Sequence, residues 1–159
     1  SNKFVNMGYI DTSKIKCMIK KSSHIKDEFL NLILRYDIDK VCIEENLQAF
    51  RPGFSSAKTL LTLASFNGIV SYICQDQLGV KPEYIGASTA RKLNGIKVPR
   101  GEKAKQVVLQ HILDNESDFV VQYTKQGNPK PESYDKADSI VIARAGLNLA
   151  RNEKDQNFI

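Results

Sequence analysis

Asp39-Lys40-Val41-Cys42-Ile43-Glu44-Glu45 is a short apolar run closed by two carboxylates. Three consecutive apolar side chains with no polar alternation suit a strand covered on both faces, as in the parallel sheets of α/β proteins. In open sheets of that kind ligands collect beyond the carboxyl ends of the strands, where Glu44 falls. Upstream, Ser22 or Ser23 is positioned to cap a helix bearing Ile25, Phe29, Leu32, Ile33 and Tyr36 at helical spacing. Downstream, past a loop from Leu47 to Phe54 that contains Arg51, Pro52 and Gly53, a long helix opens at Ser55 or Ser56. It carries Leu60, Leu63, Ala64, Ile69, Val70, Ile73 and Cys74, and its small residues Ala57, Ala64 and Gly68 suit close packing on a sheet.

The rest of the chain continues the alternation. Residues 4–12 read as a strand, and Ile15 to Lys20 as a second extended stretch or a loop. Lys81 to Ile85 is the next strand, and Ser88 to Leu93 a short helix stopped by Gly95. Gly101 to Asp114 forms another helix with Ala104, Val107, Val108 and His111 on its inner side. Residues 115–134, with Gly127, Pro129 and Pro131, read as a loop or flap. Asp135 then opens a last helix containing Ile140, Val141, Ala143 and Leu147, before a polar tail from Arg151 to Ile159. This order of elements predicts an α/β fold, one domain through residue 150.

Composition narrows the function classes. The 159 residues are 42% hydrophobic and 26% charged, enough apolar material for one core and too much for a disordered chain. No run approaches the roughly 18 apolar residues of a membrane span, and the N-terminus lacks the pattern of a signal peptide. A soluble, cytoplasmic protein with no membrane partner is expected. Cys17, Cys42 and Cys74 lack metal-ligand spacing and read as buried free thiols, and His24 and His111 as structural or surface residues. The net charge is +5, and Arg91 to Lys105 alone holds six basic residues against Glu102. A basic block of this kind suits a polyanion, with Arg51, Lys58, Arg91, Lys92, Lys97, Arg100, Lys103 and Lys105 as phosphate contacts.

The chemistry-bearing set is Glu44 together with Asp135 and Asp138. Residues three apart on a helix share a face, so the two aspartates project together. Three carboxylates meeting in one cleft would repel one another unless a divalent cation compensates, and all-oxygen donors suit Mg2+ or Mn2+. A pair of such ions about 3.5–4 Å apart can activate water and stabilise a leaving oxygen in phosphodiester hydrolysis without a side-chain nucleophile. The structural alternative is plain: Asp at a helix start complements the dipole and caps free amides, and Glu after a strand is often an exposed loop residue.

Four segments together resemble the RuvC-type Holliday-junction resolvases. They are Ile43-Glu44-Glu45; Phe50-Arg51-Pro52-Gly53 with Ser55-Ser56-Ala57; Ser88-Thr89-Ala90-Arg91-Lys92 before Gly95-Ile96-Lys97; and Asp135-Lys136-Ala137-Asp138-Ser139. The resemblance covers about residues 22–150. It implies a ribonuclease H-like fold, a mixed sheet flanked by helices, in a bacterial or phage protein. It also implies a homodimeric, magnesium-dependent endonuclease that places paired nicks in four-way DNA junctions. By position Glu44, Asp135 and Asp138 match three of that family's four metal-binding carboxylates.

The fourth belongs to a first strand, and three antiparallel strands precede the family's first helix. Here 21 residues precede Ser22, too few for three ordinary strands of about 5–6 residues with their turns. Gly8-Tyr9-Ile10-Asp11-Thr12 is either that first strand, making Asp11 the fourth ligand, or the equivalent of the third strand. The third-strand reading is preferred, and the sheet is then abbreviated at the N-terminus by truncation or completed by a second polypeptide. Two further expectations compete with a junction endonuclease: a catalytically silent module that binds branched DNA, and a related nuclease acting on RNA–DNA hybrids.

Overall fold

The computed structural model describes residues 4–45 and 57–156. Among them the chain forms α1 (Met18–Ile33), β1 (Cys42–Glu44), α2 (Ala57–Leu78), β2 (Glu83–Ile85), α3 (Ala87–Leu93), α4 (Ala104–Asn115) and α5 (Pro131–Gln156). This is a mixed α/β protein whose two strands pair in parallel. The chain divides into two compact units, one of residues 10–84 and one of residues 1–9 with 85–159.

In the unit of residues 10–84, β1 lies beside β2, and the Glu83 amide donates to the Val41 carbonyl at 2.9 Å. Lys40 Nζ and Glu83 Oε1, 2.8 Å apart, clamp the start of the pair. The strand predicted around Val41-Cys42-Ile43 is present, but it is half-buried rather than sealed, and Glu44 is its last residue. Helix α1 packs on α2, with Lys26 paired to Asp76 at 3.6 Å and the Lys21 ammonium 5.7 Å from the centre of the Phe66 ring. Ile73 and Cys74 on α2 are its buried residues.

Four expectations for the N-terminal third need correction. Residues 4–12 contain no strand. Val5, Tyr9 and Ile10 are exposed there, and an extended segment gains nothing from alternation without a neighbouring strand to pair with. Ile15 to Lys20 is not extended throughout, because α1 begins at Met18. Ser22 and Ser23 therefore sit inside the helix instead of capping it, and their hydroxyls donate back to the carbonyls of Met18 (2.8 Å) and Ile19 (3.1 Å). Cys17 occupies the cap and is exposed, so only Cys74 is a fully buried thiol, with Cys42 half-buried. The predicted start of α2 at Ser55 or Ser56 lies outside the described residues.

The second unit is built around α5, against which α3 and α4 pack. Its core holds Ala90, Ile96, Val108, Leu109, Ile112 and Phe119 together with Ala137, Ile140, Val141, Ile142 and Ala145. The alanines at 90, 137 and 145 are wholly buried, which lets the helix backbones approach closely. Ala143 and Leu147 are exposed, because the buried stripe runs through Val141, Ile142 and Ala145.

The helix stop predicted at Gly95 is a Schellman motif. Gly95 at φ +70° donates to the Lys92 carbonyl (3.1 Å), and the Ile96 amide reaches the Arg91 carbonyl (2.9 Å). Asn94 reinforces this end, its side-chain amide donating to the carbonyls of Ala90 (2.8 Å) and Val141 (2.9 Å). At the end of α4, Arg144 forms an ion pair with Glu116.

The predicted flap at 115–134 contains a tight antiparallel turn. Tyr123 pairs with Pro129, the Thr124 amide donates to the Asn128 carbonyl (2.8 Å), and the Lys130 amide to the Gln122 carbonyl (2.8 Å). Gly127 at φ +79° makes the reversal. The chain then enters α5 at Pro131, four residues earlier than Asp135, the predicted start. Proline belongs there, since the first helical residue has no intrahelical use for its N–H.

Candidate functional site

Glu44 ends β1 with its side chain exposed. Its backbone carbonyl accepts a hydrogen bond from Asn67 Nδ2 at 3.1 Å. Asn67 lies on α2, and its own carbonyl accepts from Ser71 Oγ (2.7 Å) and from the Tyr84 hydroxyl (3.2 Å). Ser71 and Tyr84 are also hydrogen-bonded to each other. One small polar cluster thus joins the end of β1, the middle of α2 and the middle of β2. Sequence reasoning passed over Asn67, although an asparagine between Phe66 and Gly68 in the middle of a long helix is a poor helix former.

Asp135 and Asp138 both stand on α5, the first exposed and the second half-buried. Because α5 begins at Pro131, both lie beyond its first turn, in which Glu132 is the acidic residue. The free amides of a helix and the field of its dipole are confined to that turn, so capping does not explain either aspartate. Between them Lys136 turns to the opposite task, its ammonium 5.6 Å from the centre of the Phe119 ring and 3.3 Å from the Val120 carbonyl. Glu44 belongs to the unit of residues 10–84, and the two aspartates to the other. Among the described residues no three His, Cys, Asp or Glu side chains form a ready-made ligand group.

Asp11 is exposed and sits in a turn rather than on a strand, accepting the Ser13 amide at 2.9 Å. Hydrogen bonds from the Ser13 side chain and backbone hold its carboxyl below the ordinary carboxylate range, with Lys14 and His24 adding smaller contributions.

Of the predicted phosphate contacts, Arg91, Lys92 and Lys97 line one cavity of about 330 Å³ with Ile96 and Val98. The Schellman turn at Gly95 folds the chain back so that side chains from α3 and from the segment after it face the same space. Arg100, Lys103 and Lys105 are exposed around the entry to α4, with Lys103 at its cap. Lys58 is exposed on α2 in the other unit, and Arg51 lies outside the described residues.

Glu44, Asp135 and Asp138 each carry a carboxylate, the oxygen donor that hard divalent cations take. Among the described residues no helix is long and apolar enough to cross a membrane. No family model matches the chain, and no curated protein or solved structure matches it.

Proposed function

We propose that this chain is a magnesium-dependent endodeoxyribonuclease of the RuvC type, with a ribonuclease H-like fold, acting on four-way DNA junctions as a homodimer. The observation that carries the reading is the position of Asp135 and Asp138 beyond the first turn of α5, where helix capping has no use for two acids. Glu44, Asp135 and Asp138 are the candidate ligands, and Mg2+ or Mn2+ bound by carboxylates would supply an activated water and charge stabilisation at the leaving oxygen. The chain's own residues do the rest. The carboxylates would hold the metal, while Arg91, Lys92 and Lys97 would bind the phosphate backbone, with Arg100, Lys103 and Lys105 as further phosphate contacts.

A labelled four-way junction incubated with the chain, with and without magnesium, tests this directly. Paired symmetrical nicks that need magnesium and disappear in Glu44→Gln are expected, with junction binding retained in that variant. Equal nicking by Glu44→Gln removes the assignment, and a panel including RNA–DNA hybrids separates a junction enzyme from its hybrid-cleaving relatives.

One observation favours a second reading, a branched-DNA-binding module without activity. Asp11, the candidate for the fourth ligand, is tied into a turn with Ser13 and is not borne on a strand. Tight junction binding without nicks at any magnesium concentration identifies that case.

A further inference from the structure

We infer that Asn67 is a positioning residue for Glu44: by donating its side-chain amide to the Glu44 carbonyl, it sets the direction in which that carboxylate leaves the end of β1. The inference rests on the proposed role of Glu44 as a metal ligand.

Strand β1 is only three residues long, and Glu44 is its last. A carboxylate ligand must be held within about 0.5 Å of its productive position, and a ligand at the end of so short a strand depends on whatever fixes the peptide that carries it. The bond from Asn67 Nδ2 to the Glu44 carbonyl, 3.1 Å long, does this from a rigid element, since α2 runs for 22 residues. Asn67 is itself braced. Its carbonyl accepts from Ser71 one turn ahead and from Tyr84 on the neighbouring strand β2. Tyr84 therefore reports the position of β2 to the same residue that restrains the end of β1. An apolar side chain at residue 67 would serve helix packing at least as well, because asparagine is a weak helix former. The use of asparagine here is explained by its reach across to the strand.

Groups hydrogen-bonded to a ligating side chain are worth about 10–100-fold in metal affinity or activity when removed, and Asn67, which acts through the Glu44 backbone carbonyl, belongs at the lower end of that range. Mn2+ titration of the intact chain, followed by the electron paramagnetic resonance of the free ion, provides a readout independent of cleavage. It is run on the unaltered chain, Glu44→Gln, Asn67→Ala and Tyr84→Phe, with the thermal midpoint of each recorded. Glu44→Gln is expected to lose the site, Asn67→Ala to weaken Mn2+ about tenfold, and Tyr84→Phe to weaken it less, all with melting behaviour close to that of the unaltered chain. In cleavage assays the same Asn67→Ala variant should need more Mg2+ for half-maximal nicking. Should Asn67→Ala prove unable to fold, Tyr84→Phe carries the test, because it loosens the brace and leaves the Asn67 amide in place. Unchanged Mn2+ affinity in Asn67→Ala, or in Tyr84→Phe where that variant carries the test, beside its loss in Glu44→Gln overturns the positioning role and leaves the metal site standing. No Mn2+ binding by the unaltered chain, or binding indifferent to Glu44→Gln, overturns the metal site itself and the positioning role with it.

Discussion

Asn94 donates its side-chain amide to the Val141 carbonyl at 2.9 Å, and so pins the segment carrying Arg91, Lys92 and Lys97 to the helix carrying Asp135 and Asp138. The same amide also holds the Ala90 carbonyl, and Asn148 returns the tie by donating to the Leu93 carbonyl at 3.2 Å. Replacing Asn94 by Ala removes both of its bonds from a half-buried place, at a cost of about 1–2 kcal/mol. Urea unfolding should show that loss as a lower midpoint with an unchanged slope. A midpoint equal to that of the unaltered chain means that water replaces both bonds at no cost.

The cavity lined by Arg91, Lys92 and Lys97 leads to a second expectation. Each phosphate neutralised by a cation contributes about 0.9 to the dependence of binding on the logarithm of salt concentration. Changing all three residues to Ala should weaken junction binding and flatten that dependence by about 2–3. Fluorescence anisotropy at several salt concentrations measures the slope. A slope that does not move places the phosphate contacts on another surface.

Much of the second unit is legible in the sequence, because its signals are local. Gly95 announced the end of α3, and the apolar spacing around Val108 and Ile140 announced α4 and α5. The start of α5 falls earlier than the sequence suggests because Pro129 and Pro131 both look like breakers, although a proline at the first helical position is among the best starts a helix has. At the other end, Ser22 and Ser23 looked like caps, yet a serine hydroxyl that bonds back to the preceding turn is compatible with the helix interior. The strand expected at residues 4–12 failed for a different reason: alternation shows that a segment could pair, not that a partner stands beside it. Among the candidate ligands, Glu44, Asp135 and Asp138 can be picked out by residue type alone. The bond from Asn67 to the Glu44 carbonyl joins residues 23 apart and involves a backbone atom, so no residue pattern encodes it.

The cysteines differ enough in surroundings to be told apart by reagent. Cys17 is exposed, whereas burial pushes the thiols of Cys42 and Cys74 above their ordinary value of 9.0. Only the thiolate reacts, so an alkylating reagent at neutral pH should label Cys17 first, the half-buried Cys42 more slowly, and Cys74 at the pace of unfolding. The sign for stability follows from the same shift. A folded pKa above the unfolded one means that the folded state holds its proton longer. The contribution is complete below pH 9 and is lost as the pH climbs through the folded values. Mass spectrometry of timed alkylation and unfolding curves from pH 7 to 10.5 check both statements. Equal labelling rates at the three positions would show that Cys42 and Cys74 are open to solvent.

Helix α5 is a single rod of 26 residues, about 39 Å long, whose buried stripe of Ala137, Ile140, Val141 and Ala145 is the spine of its unit. Asp135 and Asp138 are mounted on the same rod, and the distance between their backbones is therefore set by helical hydrogen bonds and not by the packing beneath them. Errors in the core will be felt as fewer folded molecules and not as a distorted pair of carboxylates. The interior is thus open to hydrophobic drift over generations, while the acidic pair it supports keeps its spacing.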